Sequence, residues 1–283
     1  MAYKARSIPK RLWIYWHQGT TGAPLVVRRC IESWIRENPG WDVVVLDSKS
    51  LKQYIVPDLP ADKLARMGLN KQANLFRLQL LAEYGGVWVD ATTLCMRPLD
   101  EWIYECMTSG FFAFHRPGAD RLIANWFIAA EKANPVVVKL KDRYVSFFAD
   151  NPFDIEARHR QILVRLLSKL LRRNEKTAGY WFSPLVMKHL KIYPYLVFHY
   201  LFGQLVYDDP ECREIWHATR KVSANGPHKI RHHGFFSPLN DAIKQEIDEK
   251  RDPLYKLTWK YDSGRYSPGC VFYYLLEGKN GAI

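Results

Sequence analysis

The stretch Asn74–Thr92, NLFRLQLLAEYGGVWVDAT, reads as a helix, a two-glycine turn and a strand. Leu75, Leu78, Leu81 and Ala82 recur at helical spacing and predict an apolar stripe, with Asn70 placed to cap the helix. Gly85-Gly86 supplies the left-handed stop that ends it. Val87–Val89 predicts a strand that delivers Asp90 at its carboxyl end, where open α/β sheets hold their ligands. Asn74 and Arg77 are three apart and share a helix face, which on this reading lies opposite the leucines and is exposed.

Upstream, Leu12–Trp16 (LWIYW) is a run of β-formers after Pro9. Pro24 opens a helix with Val27, Cys30, Ile31, Trp34 and Ile35 at helical spacing, and Asn38-Pro39-Gly40 ends it. Trp41–Leu46 (WDVVVL) is almost wholly apolar, which predicts a strand buried on both faces. Strand, helix and strand form a βαβ unit, and therefore a parallel sheet. Downstream, Phe111–Phe114 and Ala124–Ala130 predict strands, and the chain from Pro135 to about Cys212 reads as helical. The tail from Pro227 holds a His-rich loop, a helix near Leu239–Glu249 and a strand-like Tyr255–Trp259. The expected organisation is a single α/β domain over residues 1–283 with a mostly helical insertion at about 135–218.

Composition narrows the class. The chain has 283 residues, 48% hydrophobic and 25% charged, which excludes disorder, collagen and coiled coil as the main state. Its formal charge of +12 draws it toward something anionic: nucleic acid, an anionic membrane face or phosphorylated substrates. Ten Trp, 16 Tyr and 14 Phe suit a large core and equally suit stacking on sugars or bases. Five scattered cysteines without a C-x-x-C spacing argue against a zinc ribbon and for reduced thiols. No signal-peptide pattern and no uninterrupted run of ~18 apolar residues occurs, so a cytoplasmic protein is expected.

Several side chains could carry chemistry. An Arg fork such as Arg77 suits phosphate or sugar oxygens, and a carboxylate at a strand end suits Mg²⁺, Mn²⁺ or sugar hydroxyls. The plainer reading makes Asp90 a turn cap and Arg77 a surface ion pair. Arg116, Asn125 and Trp126 could line a sugar subsite, or could be an ordinary turn beside a buried Trp. His199 lies in an apolar helix, as a sugar contact or a satisfied core residue. Arg158, Arg165, Lys169 and Arg172, with Arg160 and Arg173, line a helix whose apolar stripe is Ile162, Leu166, Leu167 and Leu170. Such a helix lies on an anionic membrane or is a solvated face over ordinary core.

The motif Tyr84-Gly-Gly-Val-Trp-Val-Asp90-Ala-Thr92 resembles the signature of DXD-motif glycosyltransferases of family 32 and the clostridial glucosylating toxins. More closely, EYGGVWVDATTLCMRPLDEWI is similar to the bacterial capsular polysaccharide synthesis branch of that grouping. IPKRLWIYWHQG, GFFAFHRPGADRLIANWFIAA, FHYLF, GPHKI and PLYKLTWK resemble its other blocks, in order, over about residues 7–260. The resemblance implies a GT-A-like, Rossmann-type nucleotide-sugar-binding sheet, a nucleotide-sugar co-substrate, and Mn²⁺ or Mg²⁺. By matched position it implies Trp16 beside the donor base, Asn74 in place of the Asp that binds the donor sugar, Arg77 on sugar and phosphate, and Asp90 as the first acid. Thr92 departs from the pattern, since the second acid is missing. Metal binding is then expected to be weak, or completed from the C-terminal part by Asp209, His228, His232, His233 or Asp241, with His228 the choice.

The expected activity is that of a retaining hexosyltransferase. It moves a sugar from a UDP-hexose or UDP-N-acetylhexosamine to a bacterial capsular or other surface glycan, growing or lipid-linked, with the protein peripheral at the inner membrane. Competing readings are a basic nucleic-acid-binding protein, for which no recognition motif stands out, and a catalytically weak sugar-binding relative. A glycoside hydrolase would need a second carboxylate facing Asp90, and none is evident.

Overall fold

The computed structural model describes residues 8–151, 158–261 and 263–278. Its elements run β1 (Arg11–Tyr15), α1 (Leu25–Glu37), β2 (Asp42–Leu46), α2 (Ala61–Ala65), α3 (Leu69–Tyr84), β3 (Gly86–Asp90), β4 (Thr93–Cys95) and α4 (Ile103–Cys106). They continue with β5 (Phe111–Gly118), β6 (Arg121–Ala130), α5 (Pro135–Asp150), α6 (Arg158–Leu171), α7 (Glu175–Gly179), α8 (Val197–Asp208) and α9 (Pro210–Ala218). The tail adds α10 (Lys229–His233), α11 (Asp241–Asp248), β7 (Leu254–Lys256) and α12 (Val271–Glu277). The class is the mixed α/β expected. Two compact units divide the chain. One is built from Lys10–Gln53, Val87–Cys106 and the residues from Ala224 on; the other is built mainly from Tyr54–Gly86 and Met107–Ser223.

In the first unit β1 pairs in parallel with β2 on one side and β3 on the other. The register sets Tyr15 level with both Leu46 and Asp90, so all three strands finish together and Asp90 stands at their carboxyl edge. Helix α1 makes the crossover from β1 to β2. Val43, Val44 and Val45 of β2 are only half-buried, against the expectation of burial on both faces. A single parallel neighbour leaves such a strand partly open. After the motif, β4 pairs antiparallel with β7, Thr93 opposite Lys256. Three residues are too few to show a periodicity, and β4 was not expected. Side chains of α1 and of its C-cap Asn38 hold this segment: Trp34 Nε1 donates to Thr93 O (2.7 Å), Cys95 N–H to Ser33 Oγ (2.9 Å) and Leu99 N–H to Asn38 Oδ1 (2.7 Å).

In the second unit β5 and β6 form an antiparallel ladder with two irregularities near His115. Helices α3, α5 and α8 are apolar enough to be mutually buried. The residues Asn74–Leu81 of α3 are all buried, so α3 has no exposed face at Asn74 and Arg77, contrary to expectation. Its N-cap is Gly68 without a side-chain bond, not Asn70. At its other end Gly85 has φ +69°, and a Cβ there would stand 2.5 Å from the Lys132 backbone N. Left-handed backbone and close approach both demand glycine at this position.

The segment from α5 to α9 is largely helical, as expected. In α6, however, Ile162, Leu166 and Leu170 are about half exposed (49, 57 and 52%). Leu163, Val164 and Leu167 pack instead against the cluster of Leu171, Ala178, Trp181, Val186, Ile192 and Tyr200. The expected core stripe is therefore correct only at Leu167. The side chains of Arg158 and Arg160 lie outside the described ones. Among the described residues, no helix is long and apolar enough to cross a membrane. The His-rich stretch expected as a loop is the short helix α10. All five cysteines are buried free thiols.

Candidate functional site

In the second unit, α3 presents Asn74 and Arg77 one turn apart, 8% and 2% exposed. Asn74 Oδ1 accepts from Arg77 Nη1 and from Asn125 Nδ2 (3.0 Å), the latter carried by β6. The Arg77 guanidinium lies over the Phe198 ring of α8, 5.6 Å from its centroid. Burial pushes the nearby Tyr144 phenol up, against the pull of Asn74 and Arg77. A guanidinium in such low-dielectric walls is costly unless hydrogen-bonded, and it exerts a strong field on any anion that reaches it.

The other candidates of this unit stand differently. Trp126 is 5% exposed and stacked on Phe114 (centroids 5.2 Å, 26°), which leaves little ring face for a sugar. His199 is 6% exposed, its ring 5.6 Å from that of Phe198. Arg116, with φ +51°, is exposed and ion-paired to Glu175 at 2.8 Å. The structure thus joins Asn74, Arg77 and Asn125 in one hydrogen-bonded group that Arg116 does not share.

In the first unit, Asp90 Oδ1 accepts from Trp88 Nε1 (3.1 Å), and Asp90 Oδ2 lies 3.3 Å from Lys256 Nζ. The same ammonium donates to Thr92 Oγ1. The backbone locks this arrangement: Leu257 N–H donates to Thr92 O and Lys256 N–H to Pro227 O, both at 2.8 Å. The second bond places His228 one residue from a partner of β7. His228 is itself 7% exposed, with its ring 5.9 Å from that of His232. Beyond β1, Trp16 meets Trp259 edge-to-face (5.7 Å, 80°), and Trp259 is 45% exposed with Lys260 Nζ 5.2 Å from its ring. The buried indole N–H of Trp16 has no hydrogen-bond partner among the described residues.

These side chains do not fit the expected divalent ion. Among the described residues no group of three or more His, Cys, Asp or Glu could hold one. Asp90 is the only motif carboxylate, and the position that should carry its companion is the neutral Thr92, already accepting from an ammonium. Mg²⁺ and Mn²⁺ want about six hard ligands, and a cation held on Asp90 would face the charge of Lys256.

Lys256 and Trp259 were not singled out from sequence, although both fall in the stretch PLYKLTWK (253–260). For Lys256 no sequence signal was available, because its facing Thr92 across 164 positions appears only in the fold. Phe198, likewise missed, lies in FHYLF.

The profile of a family described as capsular polysaccharide synthesis protein matches residues 2–177. The O-glycosyltransferase braB of Annulohypoxylon truncatum is 26% identical over 181 residues, 57% of this chain and 42% of that protein. The glycosyltransferase afumC of Aspergillus fumigatus is 31% identical over 110 residues, 35% of this chain and 28% of that protein. The chain thus spans less than half the length of these relatives. Among solved structures, the UDP-bound glycosyltransferase domain of the YGT toxin aligns over 92% of this chain and 93% of that one. Its TM-score is 0.41 at 10% identity, too distant to carry an inference.

Proposed function

We propose that this chain, which belongs to the family of capsular polysaccharide synthesis proteins, is a glycosyltransferase using a nucleotide-sugar donor. The observation that carries the reading is the carboxylate of Asp90 at the shared carboxyl edge of three parallel strands, the position at which such sheets bind nucleotides. The buried Asn74–Arg77–Asn125 group supports it, because two amides and a guanidinium are what sugar hydroxyls and a phosphate require. The names of the relatives point the same way.

In this reading Asn74, Arg77 and Asn125 of the second unit suit sugar hydroxyls and a phosphate, and in the first unit Asp90 accepts from a hydroxyl. Trp16 and Trp259 flank the donor base. The donor is a UDP-hexose or UDP-N-acetylhexosamine, and the acceptor is a hydroxyl of a capsular or other surface glycan. Transfer retains the anomeric configuration. The bond from the anomeric carbon to the diphosphate breaks with its electron pair left on the diphosphate, and the acceptor oxygen bonds from the same face. Its proton passes to the departing diphosphate oxygen. Residues 1–283 act as one catalytic domain with a helical insertion. The basic, apolar outer face of α6 is proposed to rest on an anionic cytoplasmic leaflet, near a lipid-linked acceptor.

The test is a panel of UDP- and GDP-sugars scored for thermal stabilisation and for release of nucleoside diphosphate. One UDP-sugar should raise the melting midpoint and be turned over; a ligand at 100 times its Kd stabilises by about 2.7 kcal/mol. Absence of both responses across the panel would refute the donor assignment.

A further inference from the structure

We propose that Lys256 performs the charge neutralisation that the motif resemblance assigns to a metal, so that the Asp-Ala-Thr site works with a fixed ammonium. The proposal rests on the donor reading above. Its starting point is the misfit: the ammonium of Lys256 already occupies the bonding space of both motif positions, paired with Asp90 at 3.3 Å and donating to Thr92 Oγ1.

Charge explains why Thr92 and Lys256 belong together. Asp90 and Lys256 sum to zero, and a second carboxylate at position 92 would leave the site anionic beside an incoming diphosphate. With Thr at 92 the hydroxyl orients the ammonium and takes none of its charge. A lysine ammonium has three N–H donors. Its hydrogen bond to Thr92 Oγ1 engages one of them, and the ion pair with Asp90 still leaves a donor for a diphosphate oxygen.

The ammonium is also held in place. Its side chain is 16% exposed, and its residue pairs with Thr93 in the β4–β7 ladder. The neighbouring Leu257 N–H holds the Thr92 carbonyl at 2.8 Å. A charge fixed by packing needs no rearrangement when negative charge develops on the leaving group, which is where electrostatic catalysis gains most. When the bond from the anomeric carbon to the diphosphate breaks, the electron pair stays on the diphosphate oxygen and Lys256 stabilises it. The acceptor's proton ends on that oxygen, so no further reactant is required.

The experiment measures UDP affinity by calorimetry and donor turnover in excess EDTA and in Mn²⁺, for the wild type, Lys256→Met and Lys256→Arg, with melting midpoints for each. Wild type is expected to keep its affinity and rate in EDTA. Lys256→Met should lose about 100- to 1,000-fold in turnover, the usual cost of removing one such donor, and should bind UDP more weakly. Lys256→Arg should recover part of both. A wild type that loses UDP binding in EDTA and regains it with Mn²⁺ overturns the proposal while leaving the donor reading intact, and this arm requires no variant to fold. A folded Lys256→Met with unchanged affinity and rate overturns it as well. A wild type that binds neither UDP nor GDP under either condition refutes the donor reading and the proposal with it.

Discussion

Arg77 gives the sharpest test, because its burial makes stability and catalysis separable. Arg77→Met removes a charge-assisted hydrogen bond to Asn74 worth about 1.5–3 kcal/mol and a contact over Phe198 worth about 0.5–2 kcal/mol. Against this, taking a charge out of a site 2% exposed removes its desolvation cost, and an apolar chain of similar length refills the space. The net expectation is a loss of about 1–3 kcal/mol. At about 2–4 °C per kcal/mol for a chain of this size, the midpoint should fall by roughly 2–12 °C. Arg77→Ala leaves a cavity in addition and should fall further. Neither variant will behave like a surface substitution. Turnover measured well below the variant's midpoint should drop by about 100- to 1,000-fold if Arg77 meets the donor phosphate. Arg77→Lys keeps the charge, loses the fork and should fall between the two. A folded Arg77→Met with wild-type turnover would show that the guanidinium is structural and that donor binding lies elsewhere.

Gly85→Ala should lower stability by about 2–5 kcal/mol, from positive φ at about 1–2 kcal/mol and overlap with Lys132 at about 1–3 kcal/mol, readable by urea titration. An unchanged urea midpoint would contradict the turn geometry. Asp209 is held down to about 2, first by Lys139 and then by the Cys212 N–H of the helix it caps. Its folded value lies below the unfolded one, so its contribution is full above about pH 4 and fades as pH falls toward 2. Asp209→Asn keeps the cap and loses the charge. The stability gap to wild type should therefore be widest at neutral pH and close in acid; a gap independent of pH would refute the assignment. Reversal of Arg165 and Lys169 to Glu should abolish sedimentation with anionic vesicles at low salt while sparing donor hydrolysis; Arg172, just past α6, is left in place because it is ion-paired with the buried Asp120 at 3.0 Å. Equal binding to neutral and anionic vesicles would count against the charged face of α6.

The legible part of the fold was the part set by local signals. β1, α1 and β2 follow from a β-former run, Pro24 and Asn38-Pro39-Gly40, and the turn before β3 follows from paired glycines. Burial was harder to read because it depends on partners distant in sequence. The valines of β2 looked like a central strand but have one parallel neighbour. Asn74 and Arg77 looked solvent-facing by polarity, whereas they are buried because each satisfies the other and Asn125, 51 positions away, completes the group. On α6 the same spacing fits two stripes one residue apart, and only the cluster around Trp181 decides which turns inward. At the site, Asp90 was readable from its strand. Lys256 was not, since no pattern around residue 92 specifies what arrives from the β7 strand.

That arrival has a consequence for how the protein is made. Thr92 and the lysine that engages it are 164 positions apart, and the unit that contains both is assembled from three separate segments of the chain. During synthesis at about 5–20 residues per second, the motif leaves the ribosome roughly 8–30 s before its partner strand does. For that interval β4 has an unpaired edge. The segments Tyr54–Gly86 and Met107–Ser223 are complete earlier and hold most of the contacts of their own unit. The proposed donor site around Asp90 would therefore mature last, and a nascent chain stalled before β7 should carry an ordered helical unit while its segment after Asp90 is still open to protease.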